Sequence, residues 1–100
     1  MTKVVYNRLF VANLKDILSY IEIDNSRVVA DKVEETILKS IELLKHFPQY
    51  GRRIFDSNGK EVLYLLTINC YLVIYSYKNG VVYIENIFDS RRDHKTIYQN

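Results

Sequence analysis

The stretch His46-Phe-Pro-Gln-Tyr-Gly-Arg52 divides the chain into a helical first half and a strand-rich second half. Pro48 pushes the preceding residue out of the α region, so the helical pattern must end before it. Apolar residues recur every three to four positions upstream of this stretch, whereas runs rich in Val, Ile, Leu and Tyr follow it. The sequence therefore predicts helices followed by a sheet.

Two amphipathic helices are predicted before that stretch. Each has an apolar stripe at the three-to-four-residue spacing of one helix face. The two stripes are Phe10, Leu14, Ile17, Leu18 and Ile21, and then Ala30, Val33, Ile37, Ile41 and Leu44. Asp24-Asn25-Ser26 lies between them, and its short polar side chains favour a turn and a helix N-cap. Helices joined by so short a turn lie antiparallel, as a hairpin.

Three strands are predicted in the second half, at residues 61–67, 70–77 and 81–88. Asn79-Gly80 predicts a tight hairpin, because a type I′ turn needs positive φ at both central residues. The fold class is therefore α+β. We expect a short N-terminal strand at 4–6 and an antiparallel helical hairpin, both packed on a small antiparallel β-meander, in one domain spanning residues 1–100.

Composition limits the classes of function. With 48% apolar and 26% charged residues, the chain is expected to fold rather than to be disordered. The net charge of +2 is too small to indicate nucleic-acid binding unless cations cluster locally. The lone Cys70 excludes an internal disulfide and a cysteine-based zinc motif. No apolar run has the length of a signal peptide or a membrane span, so we expect a cytoplasmic protein, with no metal or cofactor and no membrane contact.

Cations cluster at two places, after the helices and after the last strand. They are Arg52, Arg53, Arg91, Arg92 and Lys95. Guanidinium groups bind phosphate bidentately, so these residues are candidates for contact with a target or a nucleic-acid backbone. The alternative is that they are solvated, or that they form ion pairs. The carboxylates available for pairing are Asp56, Asp89 and Asp93.

The two histidines are the residues suited to proton transfer near neutral pH. His46 lies where the second helix ends, a position at which histidine often caps the helix or interacts with its dipole. His94 follows two arginines and is a candidate catalytic group, although Asp93 beside it is equally consistent with a helix N-cap. Cys70 has no neighbour that would stabilise a thiolate and is interpreted as a small core residue.

Tyrosine is abundant, with nine residues, and several fall on the predicted strands. Leu72 and Ile74 are predicted to face the core, which places the tyrosines of the same strand on the opposite face. That face would be partly open and suited to a partner peptide or a stacked base. Packing at the margin of the sheet is the alternative. The candidate partner-binding tyrosines are Tyr71, Tyr75, Tyr77 and Tyr83.

Five segments in this order resemble the toxins of the RelE/ParE superfamily, and together they cover nearly the whole chain. They are Leu14-Lys-Asp-Ile-Leu-Ser-Tyr-Ile21, Asp24-Asn25-Ser26, Phe47-Pro-Gln-Tyr-Gly-Arg52, Tyr71-Leu-Val-Ile-Tyr75 and Ile87-Phe-Asp-Ser-Arg-Arg-Asp-His94. The resemblance, closest to ParE, implies a growth-inhibiting toxin of a type II toxin–antitoxin pair, of the kind associated with plasmid stabilisation. It also implies a cognate antitoxin as partner, with DNA contacted only through that antitoxin.

The resemblance leaves two targets, because RelE-type toxins cut mRNA on the ribosome and ParE-type toxins inhibit DNA gyrase. A ribonuclease would use Arg92 and Tyr98 as catalytic residues, with His94 as a possible aid. The chain departs from the ribonuclease pattern where Leu63, Leu65 and Leu72 stand at positions that are usually cationic. The sequence therefore favours gyrase. A non-toxic protein-binding module is the remaining alternative.

Overall fold

The computed structural model describes residues 2–55, 58–59 and 61–92. Two helices pack on one five-stranded sheet, so the α+β prediction is confirmed. In chain order the elements are β1 (Lys3–Tyr6), α1 (Arg8–Asp24), α2 (Arg27–Glu42), a 3₁₀ turn (Leu43–Lys45), β2 (Arg52–Phe55), β3 (Glu61–Ile68), β4 (Tyr71–Lys78) and β5 (Val81–Asp89). None of the described helices has the length and apolar character needed to cross a membrane.

The helical hairpin forms where the polar turn predicted it. Before α1, the Asn7 side chain accepts a 2.8 Å hydrogen bond from the Leu9 N–H. Between the helices, Ser26 Oγ accepts one of 3.2 Å from the Val29 N–H and caps α2. These bonds satisfy helix-end donors that have no partner within the helix. The two apolar stripes supply the helical side of the core, with Ile37, Ile41 and Leu44 fully buried.

The second helix ends earlier than Pro48 alone would require. The α-helical bonding stops at Glu42, and the chain continues through the 3₁₀ turn. The Phe47 N–H then donates to the Leu43 carbonyl at 2.9 Å, which closes the helical region one residue before the proline. His46 lies at the end of this turn, as predicted, with an exposed side chain.

The sheet is mixed, in the order β1-β5-β4-β3-β2. Strands β2 to β5 are antiparallel neighbours, and β1 pairs in parallel with β5. Asn79 and Gly80 have φ of 53° and 77°, as the predicted type I′ turn demands. Strand β2 was not predicted, because four residues beginning with two arginines carry little strand signal.

The helices cover one face of the sheet, called here the covered face. On β4 that face carries Tyr71, Val73 and Tyr75, whose exposed fractions are 4%, 0% and 0%. The prediction of an open tyrosine face is therefore wrong for Tyr71 and Tyr75, which belong to the core. Leu72 and Ile74 lie on the other face and are half-buried. The alternation of side chains along β4 does not show which face is buried, because the side chains on both faces are large and apolar.

The other two tyrosines occupy different faces. Tyr77 pairs with the buried Val82 and is half-buried on the covered face, whereas Tyr83 pairs with Ser76 on the opposite face. Directly opposed residues of antiparallel strands share a face, which fixes both assignments. Tyr83 is 39% exposed and is the member of the group that is accessible to a partner.

Candidate functional site

Arg91 is held against the end of β5. Its backbone N–H donates to Asp89 Oδ1 at 2.9 Å, and its Nε lies 3.4 Å from the same oxygen. Its Nη2 lies 3.4 Å from the Tyr71 hydroxyl. The hydrogen bond to Asp89, whose side chain is buried, raises the pKa of the Arg91 guanidinium. Arg91 therefore neutralises a buried carboxylate, as the ion-pair alternative predicted.

Arg92 turns towards the helical layer. Its guanidinium carbon lies 4.1 Å from the centroid of the Tyr20 ring near the end of α1. Its backbone N–H donates to the Asp89 carbonyl at 3.0 Å, which closes a turn after β5. Because α1 packs on the covered face, this guanidinium lies on the helical side of the sheet.

A set of polar contacts joins the β3–β4 turn to the end of β5. The Cys70 carbonyl accepts from both the backbone N–H and the hydroxyl of Ser90, each at 2.8 Å. Burial raises the pKa of the neighbouring Tyr71 to about 12, and Cys70 and the Asp89 carboxylate add to the shift. Cys70 is half-buried against the core, consistent with its interpretation as a packing residue.

The two arginine clusters do not form one phosphate site among the described residues. Arg52 pairs with Leu65 and Arg53 with the buried Tyr64, so these adjacent arginines point to opposite faces of β2. Strands β3 and β4 separate β2 from β5, after which Arg91 and Arg92 follow. The other residues proposed from the sequence, His94, Lys95 and Tyr98, lie outside the described part of the chain.

The face of the sheet opposite the helices, called here the open face, is apolar. No described helix or strand packs over it. Its cross-strand pairs are Ile54 with Leu63, Leu65 with Ile74, Thr67 with Leu72, and Leu72 with Phe88. Their aliphatic and aromatic side chains are half-buried. Sequence analysis missed this surface, although the nearly continuous apolar runs in β3 and β4 are typical of strands covered on both faces.

A comparison with protein families shows which family this chain is similar to. The sequence pattern of the ParE toxin of type II toxin–antitoxin systems, parDE, matches residues 4–94. The chain belongs to the ParE toxin family. The resemblance drawn from the sequence is thereby confirmed, and no curated protein matches the chain significantly.

A solved structure supports the fold of this ParE-family toxin. The structure is described as the chromosomal ParDE TA system from P. aeruginosa, and its matching chain superposes with a TM-score of 0.74. The match covers 89% of this chain and 96% of the other at 18% identity. At that identity the likeness establishes the shared fold.

The ParE-family toxin has a second apolar surface in its helical layer, called here the helical groove. This groove has a volume of about 260 Å³ between α1, α2 and β1. Lys15 and Glu34 are its charged lining residues. The Tyr6 and Phe10 rings lie 5.5 Å apart at one end, and burial raises the pKa of the Tyr6 hydroxyl. The apolar lining consists of Tyr6, Phe10, Val11, Leu14, Leu18 and Leu38.

Proposed function

We propose that this ParE-family toxin arrests growth by binding DNA gyrase, and that a cognate antitoxin neutralises it. One observation carries the choice of target. Leu63, Leu65 and Leu72 occupy the positions at which the related ribonucleases carry cations, and all three lie on the open face. A phosphate clamp needs positive charge aimed at the scissile group, and these leucines supply none.

The contacts of Arg92 support the same choice. A catalytic arginine must be able to reach the substrate phosphate, but this guanidinium packs on the Tyr20 ring within the helical layer. Arg91 is engaged by the buried Asp89 carboxylate. Use of either cation in cleavage would require these contacts to be given up first.

Two assays with the purified chain, freed of any antitoxin, test the target. We expect the wild type and Arg92→Ala to inhibit gyrase supercoiling equally. In a ribosome-dependent RNA cleavage assay we expect no cuts from either protein.

If the chain is a ribonuclease, Arg92→Ala removes a transition-state contact worth about 2.7–4 kcal/mol, which is a hundredfold or more in rate. RNA cuts abolished by Arg92→Ala, with supercoiling unaffected by the wild type, would establish the ribonuclease alternative. Tyr98→Phe then tests whether that residue contributes through its hydroxyl.

The proposed antitoxin partner has a site of matching chemistry in the helical groove. An amphipathic segment can place apolar side chains on Phe10, Val11 and Leu14 while its own charges meet Lys15 and Glu34. Val11 is 38% exposed and accessible to such a segment. This site replaces the buried Tyr71 and Tyr75 as the proposed antitoxin surface.

Co-expression with the antitoxin tests this site with a matched pair of variants. Val11→Glu places a carboxylate in the groove and should weaken the purified complex at least tenfold, roughly 1.4 kcal/mol, because the charge loses its solvation. Ala12→Glu adds the same charge at the adjacent exposed position, outside the groove lining, and should bind normally. Equal binding by both variants would place the antitoxin elsewhere.

Growth of induced cells separates the toxin from a non-toxic binding module. Induction of the chain alone should arrest growth, and co-induction of the antitoxin should restore it. A culture that grows normally while accumulating folded protein would argue against any toxin function.

A further inference from the structure

We propose that two copies of this chain pack through their open faces, related by a twofold axis parallel to the strands. This self-association goes beyond the proposed function and does not depend on the identity of the target. It would convert two layers, helices on a sheet, into four.

The open face has the extent of a small interface. At a strand spacing of about 4.8 Å and about 3.3 Å per residue, the three central strands cover roughly 10 Å by 26 Å. The four-residue edge strands β1 and β2 widen this face to roughly 19 Å over half of its length. A surface of this size is smaller than the about 800 Å² that a standard interface uses on each partner, and it suits a weak self-association. The side chains along its middle are aliphatic, including Leu65 on β3 and Leu72 and Ile74 on β4.

Charged residues at the two sides of the open face favour a second copy of this chain as the molecule that packs on it. Arg52, Leu65 and Ile74 form one cross-strand row from β2 to β4 on the open face. On β5, Asn86 pairs with Ile74, but its side chain accepts a 2.6 Å hydrogen bond from Asn13 on α1. The neighbouring Glu85 lies at the register shift between β4 and β5. A cation and an anion therefore flank the same apolar row on opposite sides. A twofold pairing of two copies can therefore bring Arg52 of one copy towards Glu85 of the other.

The Glu85 carboxylate is held on the open face by neutral groups. It accepts 3.1 Å from Ser76 Oγ and 3.4 Å from Asn7 Nδ2. Within the described part of the chain, neither Glu85 nor the exposed Arg52 has an ion-pair partner. A half-buried carboxylate without a cation gains from an arginine brought by a second molecule.

The axis direction follows from these positions. Rotation about an axis along the central strand β4 exchanges the two edges of the sheet. It brings Glu85 of one copy to within about one strand spacing, ~4.8 Å, of Arg52 of the other. Together the two side chains can span the ~10 Å between packed sheets.

Charge reversal at both positions tests the proposal by sedimentation equilibrium of the full chain. We expect the wild type to dimerise, and Arg52→Glu and Glu85→Arg each to weaken the dimer at least tenfold, because each opposes like charges twice in the symmetric interface. The double variant restores both pairs and should recover the dimer. Arg27→Glu, at an exposed position at the start of α2, makes the same charge change away from the face and should leave the dimer intact.

Circular dichroism and thermal melts check that each variant folds. Reversal of the exposed Arg52 alters no core contact, so this variant remains informative if Glu85→Arg fails to fold. A monomeric wild type, or a folded double variant that does not recover the dimer, would overturn the proposal. Open-face variants that remain monomeric like the wild type but lose gyrase inhibition would assign the face to the target instead.

Discussion

The guanidinium of Arg92 stacks on the ring of Tyr20, 4.1 Å from its centroid, and thereby ties the exit of the last strand to the end of the first helix. The contact gives a structural role to a residue that the family resemblance had marked for catalysis. A stacked, partly desolvated guanidinium contributes to stability through attraction to the ring and through packing of its stem.

A double-mutant cycle on Arg92→Ala and Tyr20→Ala measures this contact. At so exposed a site we expect a coupling of about 0.5–1 kcal/mol in the free energy of unfolding, obtained from urea titrations. Arg92→Lys should retain part of it, since an ammonium stacks less well than a planar guanidinium. Additive effects of the two alanine changes would show that the stacking does not contribute to stability.

Replacement of Gly51 is expected to strain the junction between the helices and the sheet. A Cβ at this position would lie 2.8 Å from the Tyr75 hydroxyl oxygen and 2.9 Å from the Leu65 carbonyl oxygen. The Gly51 N–H also donates to that hydroxyl at 2.9 Å, so the two residues cannot move apart without losing a hydrogen bond. Gly51→Ala should therefore cost about 1–3 kcal/mol of stability by chemical denaturation. Ser19→Ala, at an exposed position on α1, serves as the control, and equal stability of the two variants would contradict this packing.

The hairpin turn and the helical pair could be predicted because each rests on local chemistry. Positive φ at Asn79 and Gly80 follows from residue type, and the cap at Ser26 follows from a short polar side chain before an apolar stripe. The pairing of β1 with β5 could not be predicted, since it joins residues about eighty positions apart and β1 has only four residues.

The faces of β4 illustrate a second limit of the sequence. Tyr71 and Tyr75 alternate with Leu72 and Ile74, and either pair could fill a core. The helices cover the tyrosines, where Tyr75 stacks on Tyr64 with ring centroids 5.1 Å apart and bonds to Gly51. Hydrophobicity alone does not encode this choice, because a buried tyrosine depends on a distant hydrogen-bond partner. The candidate surfaces in the structure are therefore the open face and the helical groove, and not the tyrosine face that the sequence predicted.

Alkaline pH should weaken the fold through Tyr71. Its pKa is raised from 10.0 to about 12, so the folded chain holds the phenolic proton more tightly than the unfolded chain does. The contribution of Tyr71 to the free energy of unfolding is complete below pH 10.0, and it is lost as the pH rises towards about 12. Tyr71→Phe should therefore flatten the fall of stability in that window, followed by urea titrations at successive pH values. Tyr50→Phe, whose side chain is 70% exposed, should behave as the wild type, and identical pH profiles for all three proteins would contradict the shift.

Two isoleucines of the helical hairpin should differ sharply in their effect on stability. Ile37 is fully buried against the sheet, whereas Ile23 is 87% exposed near the end of α1. Ile37→Ala should cost about 2–5 kcal/mol through lost burial and a residual cavity, while Ile23→Ala should stay within about 0.5 kcal/mol. Thermal melts of the two variants give the comparison. Similar losses for both would mean that the hairpin packs on the sheet through a different face.

The topology of a plasmid recovered from cells after induction of the wild-type chain tests the proposed target most directly. Gyrase introduces negative supercoils, so its inhibition should shift the plasmid to less negatively supercoiled topoisomers on a chloroquine gel as growth stops. Co-induction of the antitoxin should prevent the shift, and Arg92→Ala should still produce it. Growth arrest with unchanged plasmid topology, accompanied by cleavage of translated mRNA, would contradict gyrase as the target.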